Sequence, residues 1–267
     1  MRLSRLVLLS TGVVAFTACS SSDKITATVF PPLAGVRYIN ALNDTGAVDI
    51  RMIDQVDYVA FANALPFRSG TQSQPAEAKA RHIRVFPTST DPAVTSKYML
   101  DTTITLSANA NVTLILTGSA RAKTVKFVVI PDNPPAAAAG QIAVRAVNSA
   151  TGAIDAYVVS TTADPIAGGT PLANVTPLGM SSYVSRAAGA AAVRVTAAGS
   201  ATVIASVAGP TAAASLPGEL PAAGVNTAGT AFSVFYFPAS VVGSQAPQTA
   251  AFLAPAAIWF VDRVPTS

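Results

Sequence analysis

The chain has 267 residues, 51% of them apolar and only 11% charged, against ~25% charged in an average globular domain. That balance excludes an intrinsically disordered chain, which combines low hydrophobicity with high net charge. A net charge of +4 drawn from so few ionisable groups also argues against a nucleic-acid binder, which needs a clustered basic patch. One Cys and one His leave no intrachain disulfide, no cysteine-rich zinc site and little imidazole chemistry.

In chain order, residues 1–18 come first and read as a signal peptide. Arg2 and Arg5 precede a short apolar run from Leu6 to Phe16, and Thr17 and Ala18 are small residues at a cleavage position. The run is shorter than the ~20 apolar residues that a spanning helix needs. The sole cysteine, Cys19, follows directly, and Phe16-Thr17-Ala18-Cys19 resembles the bacterial lipobox. That resemblance implies a lipid-carrying Cys19 as the first mature residue, and Ser20 after it resembles an outer-membrane address. Two or three acyl chains, at ~0.8 kcal/mol per buried CH₂, anchor a protein stably where one does not. Without Arg2 and Arg5, 15 of the 17 basic residues remain against 13 acidic ones, so the mature net charge is +2. Residues 19–34 are polar and then proline-punctuated, and read as a tether.

Beyond the tether the chain repeats itself. Val36-Arg37-Tyr38-Ile39-Asn40 and Gly46-Ala47-Val48-Asp49-Ile50 are echoed by Val144-Arg145-Ala146-Val147-Asn148 and Gly152-Ala153-Ile154-Asp155-Ala156. Arg84 to Thr88 resembles Arg194 to Ala198, and the stretch closing at Pro134 resembles the one closing at Pro265. Three echoes in one order predict two units of about 100 residues, a common domain size. A proline- and alanine-rich segment separates them. The boundaries predicted are 35–133 for the first domain, 134–140 for the linker and 141–267 for the second domain. Short β-branched runs such as Val112 to Leu116, Val125 to Val129, Ile142 to Val147, Ile154 to Val159 and Phe232 to Phe237 are split by turn residues. They predict an all-β chain of two tandem immunoglobulin-like or transthyretin-like antiparallel β-sandwiches, each sheet with one buried face.

The repeated Val-Arg-φ-φ-Asn, loop, Ala-Val-Asp-φ pattern resembles the bacterial domain of unknown function 4397. Asn40, Ala47-Val48-Asp49, Asn148, Ala153-Ile154-Asp155 and Tyr157 fall on its motif, and Tyr183 to Gly189 with Val193 to Gly199 resemble its next block. The resemblance implies secreted or lipid-anchored β-sandwich proteins and no catalytic residue or cofactor.

The residues themselves offer little for catalysis. No Gly-x-Ser-x-Gly elbow is present, and His82, the only imidazole, sits among cations at a surface or strand-edge position. Asp44, Asp49, Asp54 and Asp57 form the one acidic cluster, a candidate carboxylate pair for glycoside hydrolysis or a weak Ca²⁺ site in the first domain. Glu77 and Glu219 are the only glutamates. Asp49 and Asp155, like Asn40 and Asn148, occupy equivalent positions, and a position used twice reads as architecture, with the Asp accepting hydrogen bonds from loop N–H groups. The expectation is a non-enzymatic, lipid-anchored envelope protein, with no metal and no cofactor, at the outer membrane. Its partners are the membrane, through Cys19, and a cell-wall glycan or envelope protein. The alternative is a hydrolytic envelope lipoprotein that uses the Asp cluster.

Overall fold

The computed structural model describes residues 30–54, 61–211 and 223–265. The signal segment, Cys19, most of the tether, Asp57 and Glu219 lie outside the described residues. Residues 31–267 make one compact unit. Its first half contains β1 (Leu33–Asn40), β2 (Val48–Met52), β3 (Ala62–Leu65), β4 (Gln74–Glu77), β5 (Ala80–Pro87), β6 (Leu100–Thr105), β7 (Asn111–Thr117) and β8 (Lys126–Pro131). Its second half contains β9 (Gln141–Asn148), β10 (Ile154–Val159), β11 (Thr170–Val175), β12 (Val184–Ala187), β13 (Ala192–Ala197), β14 (Val203–Ala208), β15 (Ala231–Phe237) and β16 (Ala256–Arg263). One four-residue helix, α1 (Pro92–Thr95), is capped by Asp91 and carries no core residue.

Each half is a β-sandwich of two four-stranded sheets. The orders are β4-β1-β7-β8 and β3-β2-β5-β6 in the first half, and β12-β9-β15-β16 and β11-β10-β13-β14 in the second. The second half repeats the first strand for strand, and the register repeats too. Arg37 lies beside Thr113 as Arg145 lies beside Ser233, and Thr113 faces Ile130 as Ser233 faces Phe260. The sheets are not wholly antiparallel. The pairs β1–β7 and β9–β15 run parallel within sheets whose other pairs are antiparallel. Parallel neighbours need a long crossover, and here strands β2 to β6 and β10 to β14 supply it by building the second sheet.

One correction concerns burial. The sheets β3-β2-β5-β6 and β11-β10-β13-β14 each cover one core; β6, for example, alternates between exposed and half-buried positions. In the other two sheets the central strands β1, β7, β9 and β15 are buried on both faces. One face of each fills its own sandwich, with Val36, Tyr38 and Leu114 in the first half and Val144, Phe232 and Val234 in the second. The other faces meet each other. Ile39, Ile115 and Ile130 of the first half form one cluster with Val147, Phe235 and Phe237 of the second. Four sheets therefore stack in sequence. The near-continuous apolar runs of β7, β9 and β15 follow from this two-sided burial. Full burial of an Ile or Phe side chain stabilises by about 1.5–3 kcal/mol, so this middle layer holds the halves together strongly.

Gly70 marks how closely the halves approach. A Cβ there would come within 2.4 Å of Ile39 Cδ1 and 2.9 Å of Phe260 Cε1, so only glycine fits without displacing the contact. The loop 238–255 between β15 and β16 reinforces the joint. Its carbonyls at Pro238, Ala251, Phe252 and Ala254 accept hydrogen bonds from the buried Arg68 guanidinium. Desolvation lowers the pKa of Arg68. The rings of Phe67 and Phe252 flank its cation at 5.0 and 5.3 Å.

Candidate functional site

The predicted architectural residues take up matching positions in the two halves. Asp49 Oδ1 accepts hydrogen bonds from Ala64 N at 2.8 Å and Thr88 Oγ1 at 2.7 Å. Asp155 accepts from Asn174 N and Gly199 N, both at 2.8 Å. Ala64 and Asn174 are equivalent residues at bulges in β3 and β11, with φ of 50° and 55°. A bulge leaves a ladder N–H unpaired, and the carboxylate takes it. The side chains of Asn40 and Asn148 close the loops after β1 and β9. Their Oδ1 atoms accept from Leu42 N and Ala150 N, and their amides donate to carbonyls that include Leu65 O and Val175 O.

The acidic cluster does not converge. Asp44 ties down the loop 119–121 through Ser119 Oγ at 2.5 Å and the N–H groups of Ala120 and Arg121 at 3.1 Å. Burial raises the pKa of its carboxyl, but those donors outweigh that effect and hold it below the ordinary range. Asp54 lies 3.0 Å from the fully buried Arg81, which also approaches Glu77. Among the described residues no three or more metal-type side chains gather. His82 lies on β5, an interior strand of its sheet, not on an edge. It is partly exposed and contacts Asp101, which also accepts from Arg84 Nε at 2.8 Å.

The densest charge cluster is one that the predicted sites omit. Arg37 and Arg145, from the repeated Val-Arg motif, point away from their own sandwich cores into the layer between the halves. Asp132 and Asp262, each one residue beyond an equivalent strand position, meet them there. Arg37 Nη2 reaches Asp262 Oδ1 at 2.7 Å, and Arg145 Nη2 reaches Asp132 Oδ1 at 2.5 Å. Arg37 Nε donates to Thr113 Oγ1 and Nη1 to Val261 O; Arg145 Nε donates to Ser233 Oγ and Nη1 to Pro131 O. The hydroxyls of Thr113 and Ser233 donate in turn to Asp132 Oδ2 at 2.7 Å and Asp262 Oδ2 at 2.5 Å. Each half thus lends its arginine to the other half's aspartate, as the subunits of a two-fold dimer would. Two cations and two anions compensate one another, which makes their burial tolerable. Burial pushes the Asp262 carboxyl above its usual range, an effect that Arg37 opposes and Asp132 adds to.

The two ends of this network differ. Beside Arg145 stand Met180 and Tyr183. The Tyr183 ring lies 4.8 Å from the Arg145 guanidinium carbon, and its hydroxyl donates to Asp262 Oδ2 at 2.8 Å. Burial and the negative charge of Asp262 push the Tyr183 phenol well up, so it remains a donor. The equivalent positions beside Arg37 are Gly70 and Ser73. The equivalence follows from Thr71 and Ser181, whose hydroxyls accept at 3.0 Å from Tyr38 N and Ala146 N. With no large side chain there, a cleft of about 1180 Å³ opens over Arg37 and Asp132. Its walls include Gln72, Asn111, Asn133, Trp259 and Arg263. The Asp262 side chain is fully buried, whereas Asp132 retains 11% exposure. This cleft is the candidate site. Its charged floor was legible only as an arginine repeated inside an apolar strand motif.

No curated protein matches the chain. Residues 34–157, which run from β1 to Tyr157 in β10, match the family model described as a domain of unknown function, DUF4397.

Proposed function

We propose that the chain is a non-enzymatic, lipid-anchored module of the bacterial cell envelope, built from two copies of one domain, that binds or scaffolds another envelope component. The observation that carries this reading is the commitment of the acidic groups. Asp44, Asp49, Asp155, Asp132 and Asp262 each accept hydrogen bonds from backbone, arginine or hydroxyl groups of the scaffold. General acid–base chemistry needs a carboxyl or imidazole aimed at a bound substrate, and these are aimed at the fold. Membrane attachment through Cys19 rests on the lipobox resemblance.

Membrane fractionation of the wild type and Cys19→Ala tests the anchor. The wild type is expected in the membrane fraction and the variant in the soluble fraction; equal partitioning overturns anchoring. Protease shaving of intact cells with chemical cross-linking tests the binding role. Recovery of a specific cross-linked envelope component supports it, and turnover of glycan or peptide substrates by the purified chain overturns the non-enzymatic assignment.

A further inference from the structure

The pseudo-symmetry supplies a template for what the open cleft accepts. In the second half Tyr183 fills the equivalent space as a built-in ligand: a flat ring over an arginine, with one hydroxyl donated to the network aspartate. In the first half the same arginine–aspartate floor is present, and Ser73 leaves the space empty. Asp132 Oδ2 takes a second contact from Arg37 there, at 2.9 Å, instead of a phenol. A ring-shaped, hydroxyl-bearing group therefore fits over Arg37 with a donor toward Asp132.

The walls narrow the class further. The side chains of Gln72, Ser73, Asn111 and Asn133 make no hydrogen bond to any described residue, although amides and hydroxyls lining a cleft are the groups that read sugar hydroxyls. Arg263 on the same wall pairs with no described acid, while the four charges of the floor cancel. One uncompensated cation favours a ligand that carries an acidic group. The volume slightly exceeds the ~300–1,000 Å³ of usual small-molecule pockets, which suits several linked rings better than one. We infer that the cleft between the halves, over Arg37, Asp132 and Arg263, binds an acidic oligosaccharide. This rests on the binding-module reading and names the ligand class of that module.

Titration calorimetry of the full chain tests it, with short oligogalacturonate as the acidic probe, maltotetraose as the neutral one and a tyrosine-containing tripeptide as the protein-like one. The wild type is expected to bind the acidic oligosaccharide at one site, and more tightly than the neutral one. Ser73→Tyr, which copies Tyr183 into the cleft, is expected to weaken binding at least about tenfold, the equivalent of ~1.4 kcal/mol, without lowering the melting temperature. If Ser73→Tyr fails to fold, the exposed double variant Gln72→Ala/Asn133→Ala carries the same test. Unaltered binding by a folded cleft variant overturns the inference. So does failure of the wild type to bind any saccharide probe, or binding of the tyrosine peptide alone, which reassigns the cleft to a protein partner. Cross-linking to an envelope component with no saccharide affinity leaves the module reading standing and removes only this ligand.

Discussion

The open and the filled ends of the central network share a floor and differ in their cover. Both present an arginine from the Val-Arg motif, a hydroxyl on the neighbouring parallel strand and an aspartate of the opposite half. At one end Tyr183 and Met180 close the space; at the other Ser73 and Gly70 leave it accessible. Two roles that usually compete are thereby separated. The shared floor joins the halves, and the divergent cover creates a cavity without disturbing the joint.

Removing one arginine from the floor is expected to have the largest effect. Arg37 lies within 3 Å of both carboxylates, whereas Arg145 lies 2.5 Å from Asp132 and 3.9 Å from Asp262. Arg37→Met therefore leaves the fully buried Asp262 with only the Ser233 and Tyr183 hydroxyls and a cation 3.9 Å away, and is expected to cost about 3 kcal/mol, the low end for a buried pair that loses one partner. Arg145→Met leaves Arg37 bridging both acids and is expected to cost less. Urea unfolding of the two variants measures the difference. Equal losses mean that the near-symmetry of the floor, not its unequal contacts, sets the energetics.

The bulge clamps give the next effect. Asp155→Ala leaves the N–H groups of Asn174 and Gly199 without their acceptor, and Asp49→Ala does the same to Ala64 N and the Thr88 hydroxyl. These hydrogen bonds are only partly buried, so the loss is expected near about 1 kcal/mol, the low end for an unsatisfied donor. Losses of this size in both halves mark the two carboxylates as structural. Unchanged stability of either variant, measured by the same unfolding assay, sinks that role for its half.

The sequence carried the β class, because the β-branched runs split by turn residues are local signals. It did not reveal β3, β4, β11 and β12. These are short edge strands with weak β-formers, Ala62-Asn63-Ala64-Leu65 and Gln74-Pro75-Ala76-Glu77 among them, held by pairing instead of propensity. The stacking of the two sandwiches was also hidden. A strand buried on both faces reads as a plain apolar run, and one Arg within it gives no hint of a partner 225 residues away. The candidate cleft depends on the contrast between Ser73 and Tyr183, which acquires meaning only when the strands are superposed in register.

Acid titration sharpens the comparison at Asp44, a residue of the first half's longer loop. Its folded pKa lies below the unfolded carboxylate value of ~3.9, so its contribution to stability is present above that pH and is lost as pH falls through the folded pKa. Asp44→Asn is expected to flatten the fall in stability below about pH 4. An unchanged acid limb, followed by melting temperature against pH, removes Asp44 from the list of acid-sensitive contacts. Asp262 has the opposite sign. Its raised pKa means that its ionised form is disfavoured in the fold, so stability from this group falls as pH rises through the folded pKa.

The smallest expected effect separates the two bulges. Ala64 and Asn174 hold the same left-handed backbone, with φ of 50° and 55°. An alanine Cβ is disfavoured there by roughly 1–2 kcal/mol relative to glycine, whereas asparagine tolerates the region. Both positions are exposed, so a change of side chain there removes no core packing. Ala64→Gly is therefore expected to stabilise the chain, by less than about 1 kcal/mol once the greater freedom of the unfolded glycine is counted. Asn174→Gly is expected to be neutral or slightly destabilising by the same reasoning. Opposite signs in the two halves identify backbone strain as the cause; a loss at both positions shows instead that the side chains matter to the bulge.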